Sequence, residues 1–144
     1  MKRLPFDKEQ LTGIINKYPT PFHIYDEAGI LDNARRLPDA FSWNKGFKHY
    51  FAVKATPTPA IISLLKTVGH GVACSSMPEL IIAERCGVTG ENIMFTSNDT
   101  PAEEFKKAYE LGAIINFDDI THIDYCENAC GGLPPLVSCR YNPG

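Results

Sequence analysis

The decisive stretch of this sequence is an apolar run that ends in a lysine, Tyr50-Phe51-Ala52-Val53-Lys54, followed at once by Ala55-Thr56-Pro57. A run this apolar predicts a strand buried on both faces, and Thr56-Pro57 predicts the end of that strand and the start of a helix. A charged ammonium group inside a buried strand costs several kcal/mol unless it is paired, neutral or used chemically. We therefore expect Lys54 to have a chemical role.

Short apolar runs of the same kind recur about every 21 residues, at 50–54, 71–75, 92–96, 113–117 and 136–141. The segments between them have helical spacing. For example, one buried helix face is predicted by Ile61, Leu64, Leu65 and Val68. Strands that alternate with helices at this short period predict right-handed crossovers and a parallel sheet.

Helix starts are marked in the same pattern. Thr56-Pro57 and Thr100-Pro101 each place a capping hydroxyl before a proline at the first helical position, and Ser76 with Glu79 has the spacing of a capping box.

Two architectures fit this alternation, an open doubly wound sheet and a (β/α)8 barrel. No GxGxxG or GxxxxGK[ST] glycine pattern follows any of the runs, which favours the barrel. A complete TIM-type barrel has eight strands and typically about 250 residues. We therefore expect an incomplete α/β barrel, about five of its eight strands, with residues 46–144 as its N-terminal part.

Residues 1–45 do not follow the repeat. The stretch Thr20-Pro21-Phe22-His23-Ile24-Tyr25-Asp26 predicts a strand, and the residues from about 27 to 37 predict a helix. We expect that strand to belong to a different sheet from the barrel.

The composition is that of an ordinary globular domain, with 144 residues, 44% of them hydrophobic, and a net charge of -3. Acidic and basic residues are mixed, which argues against a nucleic acid or a membrane surface as partner and favours small molecules. The sequence has no apolar stretch of roughly 18 residues and no signal-peptide core, so we expect a cytoplasmic protein. The five cysteines include no CxxC pair and predict reduced core thiols.

The barrel pattern also places Lys54. Alternate residues of a barrel strand face the interior, so Tyr50, Ala52 and Lys54 are expected on one face, with the lysine at the C-terminal mouth where barrel active sites form. An amine removed from water there gives up its proton more readily and then forms a Schiff base with an aldehyde cofactor or a carbonyl substrate.

Four blocks of this sequence, in order and correctly spaced, resemble the fold-type III pyridoxal-phosphate decarboxylases, and among them most the diaminopimelate decarboxylases. The blocks are the stretch 20–26 quoted above, Tyr50-Phe51-Ala52-Val53-Lys54-Ala55, Cys74-Ser75-Ser76-Met77-Pro78-Glu79-Leu80, and Arg140-Tyr141-Asn142-Pro143-Gly144. The resemblance implies an alanine racemase-like barrel, with the stretch 20–26 joining a C-terminal β-domain. It implies pyridoxal phosphate as cofactor and decarboxylation of meso-diaminopimelate to L-lysine.

Several residue roles follow from that resemblance. Lys54 would form the Schiff base with the cofactor, Arg140 would approach the cofactor ring, and Ser76 with Glu79 would contact the cofactor. A simpler reading makes Arg140 part of an ion pair at the barrel end and Ser76 with Glu79 a helix cap. The family has an aspartate two or three positions before the serine, where Val72-Ala73-Cys74 offers none.

Other interpretations stay open. The enzyme could decarboxylate another basic amino acid, such as ornithine or arginine, or the protein could bind pyridoxal phosphate without catalysis, or the chain could be a non-enzymatic assembly fragment. His122, Cys126 and Cys130 fall at i, i+4 and i+8 and suggest a metal site, although a core-facing helix explains the same spacing. His49 and His70 lie at the N-terminal ends of strands and are expected to be structural.

The resemblance also implies what this sequence lacks. The ring-stacking histidine, the glycine-rich phosphate loop, the acidic partner of the pyridine nitrogen and the second-domain cysteine and tyrosine would all lie beyond Gly144. We therefore expect the fragment alone to be inactive and the complete protein to be a homodimer whose active site is completed across the dimer interface.

Overall fold

The computed structural model describes residues 4–141 and 143, and it shows five short parallel strands alternating with helices. Along the chain the elements are α1 (Lys8–Lys17), α2 (Glu27–Ala40), β1 (Tyr50–Ala52), α3 (Pro59–Thr67), β2 (Gly71–Cys74), α4 (Met77–Arg85), β3 (Ile93–Phe95), α5 (Ala102–Glu110), β4 (Ile114–Phe117), α6 (Thr121–Cys130) and β5 (Val137–Cys139). The sheet order is β1-β2-β3-β4-β5, as expected for the first part of a (β/α)8 barrel.

The two faces of the sheet differ in side-chain size and burial. One face packs against helices α3 to α6 in a single apolar core, to which the strands contribute Val72, Cys74, Ile93, Phe95, Ile115 and Phe117. The register, with Ala52 opposite Ala73 and Ala73 opposite Met94, places these three residues on the other face. Those residues are only half-buried, because this face is the interior surface of the incomplete barrel.

Tyr50 and Gly71 close the N-terminal end of the interior face. The Tyr50 hydroxyl reaches across β2 and donates to the carbonyl of Glu91, at 2.8 Å. A Cβ added at Gly71 would lie 2.8 Å from the Tyr50 ring and 2.7 Å from the Asn92 carbonyl oxygen. Only glycine therefore allows the tyrosine ring to cross β2 at this level.

The predicted strand at 20–26 is absent: these residues form no strand within the described chain, and α2 begins directly after them with Asp26 as its N-cap. The physical reason is that a strand needs a hydrogen-bonded neighbour, and none of the described strands pairs with this stretch. That the stretch 20–26 belongs to a C-terminal β-domain stays a prediction. The helix predicted after it is confirmed, and it extends to Ala40.

Both predicted threonine caps are wrong. A 3-10 turn at Val53–Ala55 follows β1, so α3 begins later, at the second threonine-proline pair, Thr58-Pro59. Neither Thr58 nor Thr100 caps a helix through its hydroxyl, and the buried Thr100 Oγ1 has no hydrogen-bond partner in the described part of the chain. No helix among the described residues is long and apolar enough to cross a membrane.

Gly71→Ala should destabilise the complete protein by about 1–3 kcal/mol, because the new methyl group overlaps the Tyr50 ring and a backbone carbonyl. Urea unfolding followed by fluorescence measures the change. Gly13→Ala is the matched control. Nothing lies within 4 Å of its added methyl group, and alanine inside a helix is expected to stabilise it by about 0.5–1 kcal/mol relative to glycine. A Gly71→Ala protein as stable as the Gly13→Ala control would contradict the account of this contact.

Candidate active site at the strand ends

The C-terminal ends of the five strands lie along one edge of the sheet, because all the strands are parallel. Each end is followed by a polar side chain, in order Lys54, Ser75, Thr96, Asp118 and Arg140. This edge is the mouth of the barrel and the position at which barrel enzymes bind their ligands. The structure therefore places Lys54, Ser76 and Arg140, which the sequence singled out for the cofactor, at the same end of the strands.

Lys54 does not lie on a strand. The strand β1 ends at Ala52, and Val53–Ala55 forms a 3-10 turn in which Thr56 donates its amide to the Val53 carbonyl at 3.1 Å. Val53 is fully buried and anchors the turn, whereas Lys54 is exposed. The prediction that Lys54 is buried within a strand is therefore wrong, because the turn interrupts the alternation of faces. In the described chain its amine takes part in no ion pair.

Glu79 organises the two serines after β2. Its carboxylate accepts hydrogen bonds from the Ser75 amide at 3.0 Å, the Ser75 hydroxyl at 2.9 Å and the Ser76 hydroxyl at 3.0 Å. Glu79 is only 8% exposed, so these bonds replace the water that its charge would otherwise require. Because both hydroxyl protons point to Glu79, each serine oxygen has only lone pairs left to offer a ligand.

The expected capping box at Ser76 and Glu79 is not formed. Ser76 is the N-cap residue of α4, but its hydroxyl donates to the Glu79 side chain and caps no backbone amide. The Met77 amide is bound instead by Glu104 of α5, at 2.8 Å. This contact between neighbouring helices fixes the start of α4 next to the mouth.

Cys74 lies directly before the serines on the core face of β2. Burial, followed by the nearby charge of Glu79, raises the pKa of the Cys74 thiol to about 12. The thiol is therefore protonated at neutral pH and is not a nucleophile.

Arg140 forms an ion pair at the end of β5. Its guanidinium donates to the Asp118 carboxylate, at 2.8 Å, and its amide donates to the Phe117 carbonyl, at 2.9 Å. The Arg140 side chain is 54% exposed, so it remains accessible to solvent at the mouth. The sequence suggested an ion pair for Arg140 at the barrel end but did not identify Asp118 as the partner, and this pair joins two strands.

The side chain of the neighbouring Asp119 forms hydrogen bonds with a residue close to it in the sequence. It accepts from the Thr121 hydroxyl at 2.6 Å and from the Thr121 amide at 2.8 Å, and these bonds lower the pKa of Asp119. Asp119 thus orders the start of α6, although Ile120 is the N-cap residue.

The suggested metal ligands on α6 do not form a site. The sulfurs of Cys126 and Cys130 are 4.0 Å apart and His122 packs edge-on against Phe105, but no cluster of three or more metal-binding side chains occurs in the described ranges. Burial, followed by the Cys130 thiol, raises the pKa of Cys126. All five cysteines are free, but Cys139 is exposed and so is not the core thiol that was expected.

Comparison with known proteins identifies the family of this chain. Residues 28–144 match the sequence profile described as the pyridoxal-dependent decarboxylase, pyridoxal binding domain. The chain belongs to this family of decarboxylases. The resemblance seen in the sequence is thereby confirmed, and pyridoxal phosphate is the cofactor of the family.

Individual relatives agree with this assignment. The chain is 46% identical to Protein TabA of Pseudomonas amygdali pv. tabaci over 133 residues, which cover 92% of this chain and 30% of that protein. It is 32% identical to the diaminopimelate decarboxylase of Methanothermobacter thermautotrophicus, with 90% of this chain and 30% of that enzyme covered. Among solved structures, lysine decarboxylase from Selenomonas ruminantium superposes with a TM-score of 0.77 at 25% identity, over 89% of this chain and 33% of that one.

The chain therefore spans about a third or less of the length of the relatives it matches. Asn142 and Gly144, in the last of the four sequence blocks, lie outside the described residues, so the structure does not bear on them.

Glu79→Gln should destabilise the protein by about 1–3 kcal/mol, because the glutamine amide group would face the serine donors and leave at least one of them unpaired in a buried site. Thermal or chemical unfolding checks this. Glu84→Gln on the same helix is the control, since Glu84 is 45% exposed and pairs only with Lys107 at the surface. Its change is expected to stay below about 1 kcal/mol, and equal losses in both variants would contradict the role of Glu79.

Proposed function

We propose that the complete protein is a pyridoxal-phosphate-dependent amino-acid decarboxylase in which Lys54 attaches the cofactor. The observation that carries this proposal is the position of Lys54, an exposed amine after β1 at the mouth of a barrel that belongs to the decarboxylase family. Attachment joins the lysine nitrogen to the cofactor aldehyde carbon and releases water.

The described residues suit such a cofactor. Lys54 supplies the amine, and Arg140 supplies a cation whose position is set by Asp118. Ser76, whose proton is held by Glu79, supplies a hydrogen-bond acceptor. When bound, pyridoxal phosphate supplies the electron sink that decarboxylation requires, while the protein provides orientation.

Meso-diaminopimelate is the substrate that we propose first, with L-lysine as product. Its support is the similarity to diaminopimelate decarboxylases, at 32% identity in the Methanothermobacter thermautotrophicus enzyme. The structural similarity to a lysine decarboxylase keeps another basic amino acid as the alternative. A homodimer in the cytoplasm belongs to the same proposal and rests on the family resemblance and the sequence pattern.

A specific observation favours a second candidate, a protein that binds pyridoxal phosphate without catalysis. Ala73 is the interior-facing residue of β2 in the segment where the family carries an aspartate, and it lies between Ala52 and Met94 in the register. The interior surface therefore has a methyl group there and no charge. If catalysis in this family depends on that carboxylate, this chain would bind the cofactor and release no carbon dioxide.

Lys54→Ala should abolish covalent attachment of pyridoxal phosphate to the complete protein. Borohydride fixes the Schiff base, and mass spectrometry of peptides then locates the added mass, which we expect on Lys54. Lys66→Ala is the control, because Lys66 binds the carbonyls of Cys86 and Gly87 at the opposite edge of the sheet and should leave the labelling unchanged. Labelling that persists in the Lys54→Ala protein would refute the assignment.

A second experiment distinguishes the possible substrates from one another and the enzyme from the non-catalytic protein. It measures the release of carbon dioxide by the complete protein from meso-diaminopimelate, lysine, ornithine and arginine. We expect meso-diaminopimelate to be the fastest substrate. Faster release from one of the other three amino acids would identify that amino acid as the substrate in place of meso-diaminopimelate. Cofactor attachment without turnover of any of the four would support the non-catalytic protein and contradict the enzyme.

A further inference from the structure

The interior face of the sheet changes from apolar to polar as it approaches the mouth. Ala73, Met94 and Ile114 lie side by side on β2, β3 and β4, and their side chains are apolar. The next interior positions on β3 and β4 are Thr96 and Asn116, because the residues in between face the core. A ligand bound at the mouth therefore meets these polar side chains before it meets the apolar row.

Asn116 is an unexpected residue for an inner strand of a parallel sheet. Such strands are usually continuous apolar runs, and asparagine is depleted in strands. Asn116 interrupts the apolar strand β4 and is half-buried on its interior face. Its side-chain Nδ2 donates to the Thr96 hydroxyl oxygen at 3.1 Å. The two side chains thus form a polar pair that joins the end of β3 to β4.

The hydrogen bond between the pair decides which atoms remain for a ligand. Because the Thr96 oxygen accepts from Asn116, the Thr96 proton takes no part in that bond. Within the described chain it is the only hydrogen bond of the Thr96 side chain. The protons of Ser75 and Ser76, after β2, are both held by Glu79. Between these serines and Thr96, only Thr96 has a hydroxyl proton to donate.

The complete barrel would leave this proton without water. Its interior is a packed core, and a buried donor without a partner loses the free energy of its contact with water. The proposed cofactor carries a suitable acceptor. Its ring hydroxyl oxygen is bonded to the ring carbon next to the one that carries the aldehyde. This oxygen therefore lies close to the nitrogen of Lys54 once the aldehyde is attached.

We propose that Thr96, positioned by Asn116, donates its hydroxyl proton to the ring oxygen of pyridoxal phosphate attached to Lys54. The inference rests on the proposed function, because it requires attachment at Lys54. On the neighbouring strand β2, Ala73 presents only a methyl group to the interior and offers the ring oxygen no partner. A hydrogen bond from Thr96 favours the deprotonated, negatively charged form of that oxygen. Asn116 acts through Thr96, because its amide occupies the hydroxyl oxygen and leaves the proton for the ligand.

A thermodynamic cycle tests the contact, with Thr96→Val as the protein variant and a cofactor analogue in which hydrogen replaces the ring hydroxyl group. Absorption titration of the complete protein gives the dissociation constant for each cofactor. Thr96→Val should weaken binding of pyridoxal phosphate on the order of tenfold. It should weaken binding of the analogue by less than about twofold. The unpaired Asn116 amide in this variant affects both cofactors alike and cancels, so equal losses with both would overturn the proposal.

Matched variants separate the hydroxyl proton from general effects of substitution. Thr96→Ser keeps the hydroxyl group and should bind pyridoxal phosphate within about threefold of the wild-type protein. Thr89→Val makes the valine change in an exposed residue at the opposite end of β3 and should leave both dissociation constants unchanged. A loss in Thr89→Val as large as the loss in Thr96→Val would also overturn the proposal.

The positioning role of Asn116 is tested in the same cycle with Asn116→Leu, which leaves the Thr96 hydroxyl in place. Binding of pyridoxal phosphate should weaken several-fold, and binding of the analogue should stay within about twofold of the wild-type value. Unchanged binding of pyridoxal phosphate would refute the positioning role.

Borohydride labelling separates a failure of this inference from a failure of the proposed function. If the cofactor is fixed on Lys54 in the wild-type protein and Thr96→Val weakens both cofactors equally, only the contact with the ring oxygen is refuted. If no cofactor is fixed on Lys54, the proposed function fails and the contact fails with it.

Discussion

Parallel pairing of five short strands is the constraint on which the rest of this structure depends. Phe51 lies opposite Val72, and Val72 lies opposite Ile93, so that each core residue has a core residue beside it on the next strand. A slip of one residue would turn that apolar row to the interior and expose it. The same pairing collects every strand end on one edge, and with the ends it collects Lys54, Ser75, Asp118 and Arg140.

Two carboxylates at the mouth form hydrogen bonds or an ion pair with neighbouring side chains and thereby fix the positions of those side chains. Glu79 holds two hydroxyl groups, and Asp118 holds the guanidinium of Arg140. These carboxylates leave the serine lone pairs and the remaining donors of the arginine for a ligand, and the amine of Lys54 follows β1 at the same end of the strands. An electron-poor aldehyde cofactor with a phosphate group is chemically suited to an amine and a cation together. In the proposed site, the two carboxylates therefore orient the groups that would meet the cofactor.

The opposite edge of the sheet is held together differently. Tyr50 crosses beneath Gly71 on the interior face, while His49 and His70 reach outward to α2. The hydrogen bonds at this edge join the two histidines to each other and to α2, and Lys45 and Lys48 line the cavity beside them. The candidate active site thus lies at one end of the strands and the contacts of the histidines with α2 lie at the other, so changes at either end are separable by experiment.

Much of the fold can be predicted from the sequence, because the sequence has a regular repeat of strand and helix patterns. Alternation within 71–75 and 113–117, helical spacing in the segments between, and the recurrence of the unit identify the strands and their parallel order. The exact positions at which the strands end are harder to predict from the sequence. The turn at Val53–Ala55 ends β1 two residues earlier than predicted, so that Lys54 lies in an exposed turn and not at an interior strand position. Whether these residues form a strand or a turn depends on how Val53 packs into the core, which the local sequence does not specify.

The sequence by itself determined the strand-helix repeat, the incomplete barrel, the family and the candidate lysine, because each of these is encoded in local periodicity or in contiguous blocks. Only the tertiary structure decided the partners of the polar residues. The bond from His70 to Ala34 joins residues 36 positions apart, and the pair Arg140 with Asp118 joins residues 22 apart. Such partners meet through strand register and helix packing, which bring distant residues together in ways that no local pattern specifies.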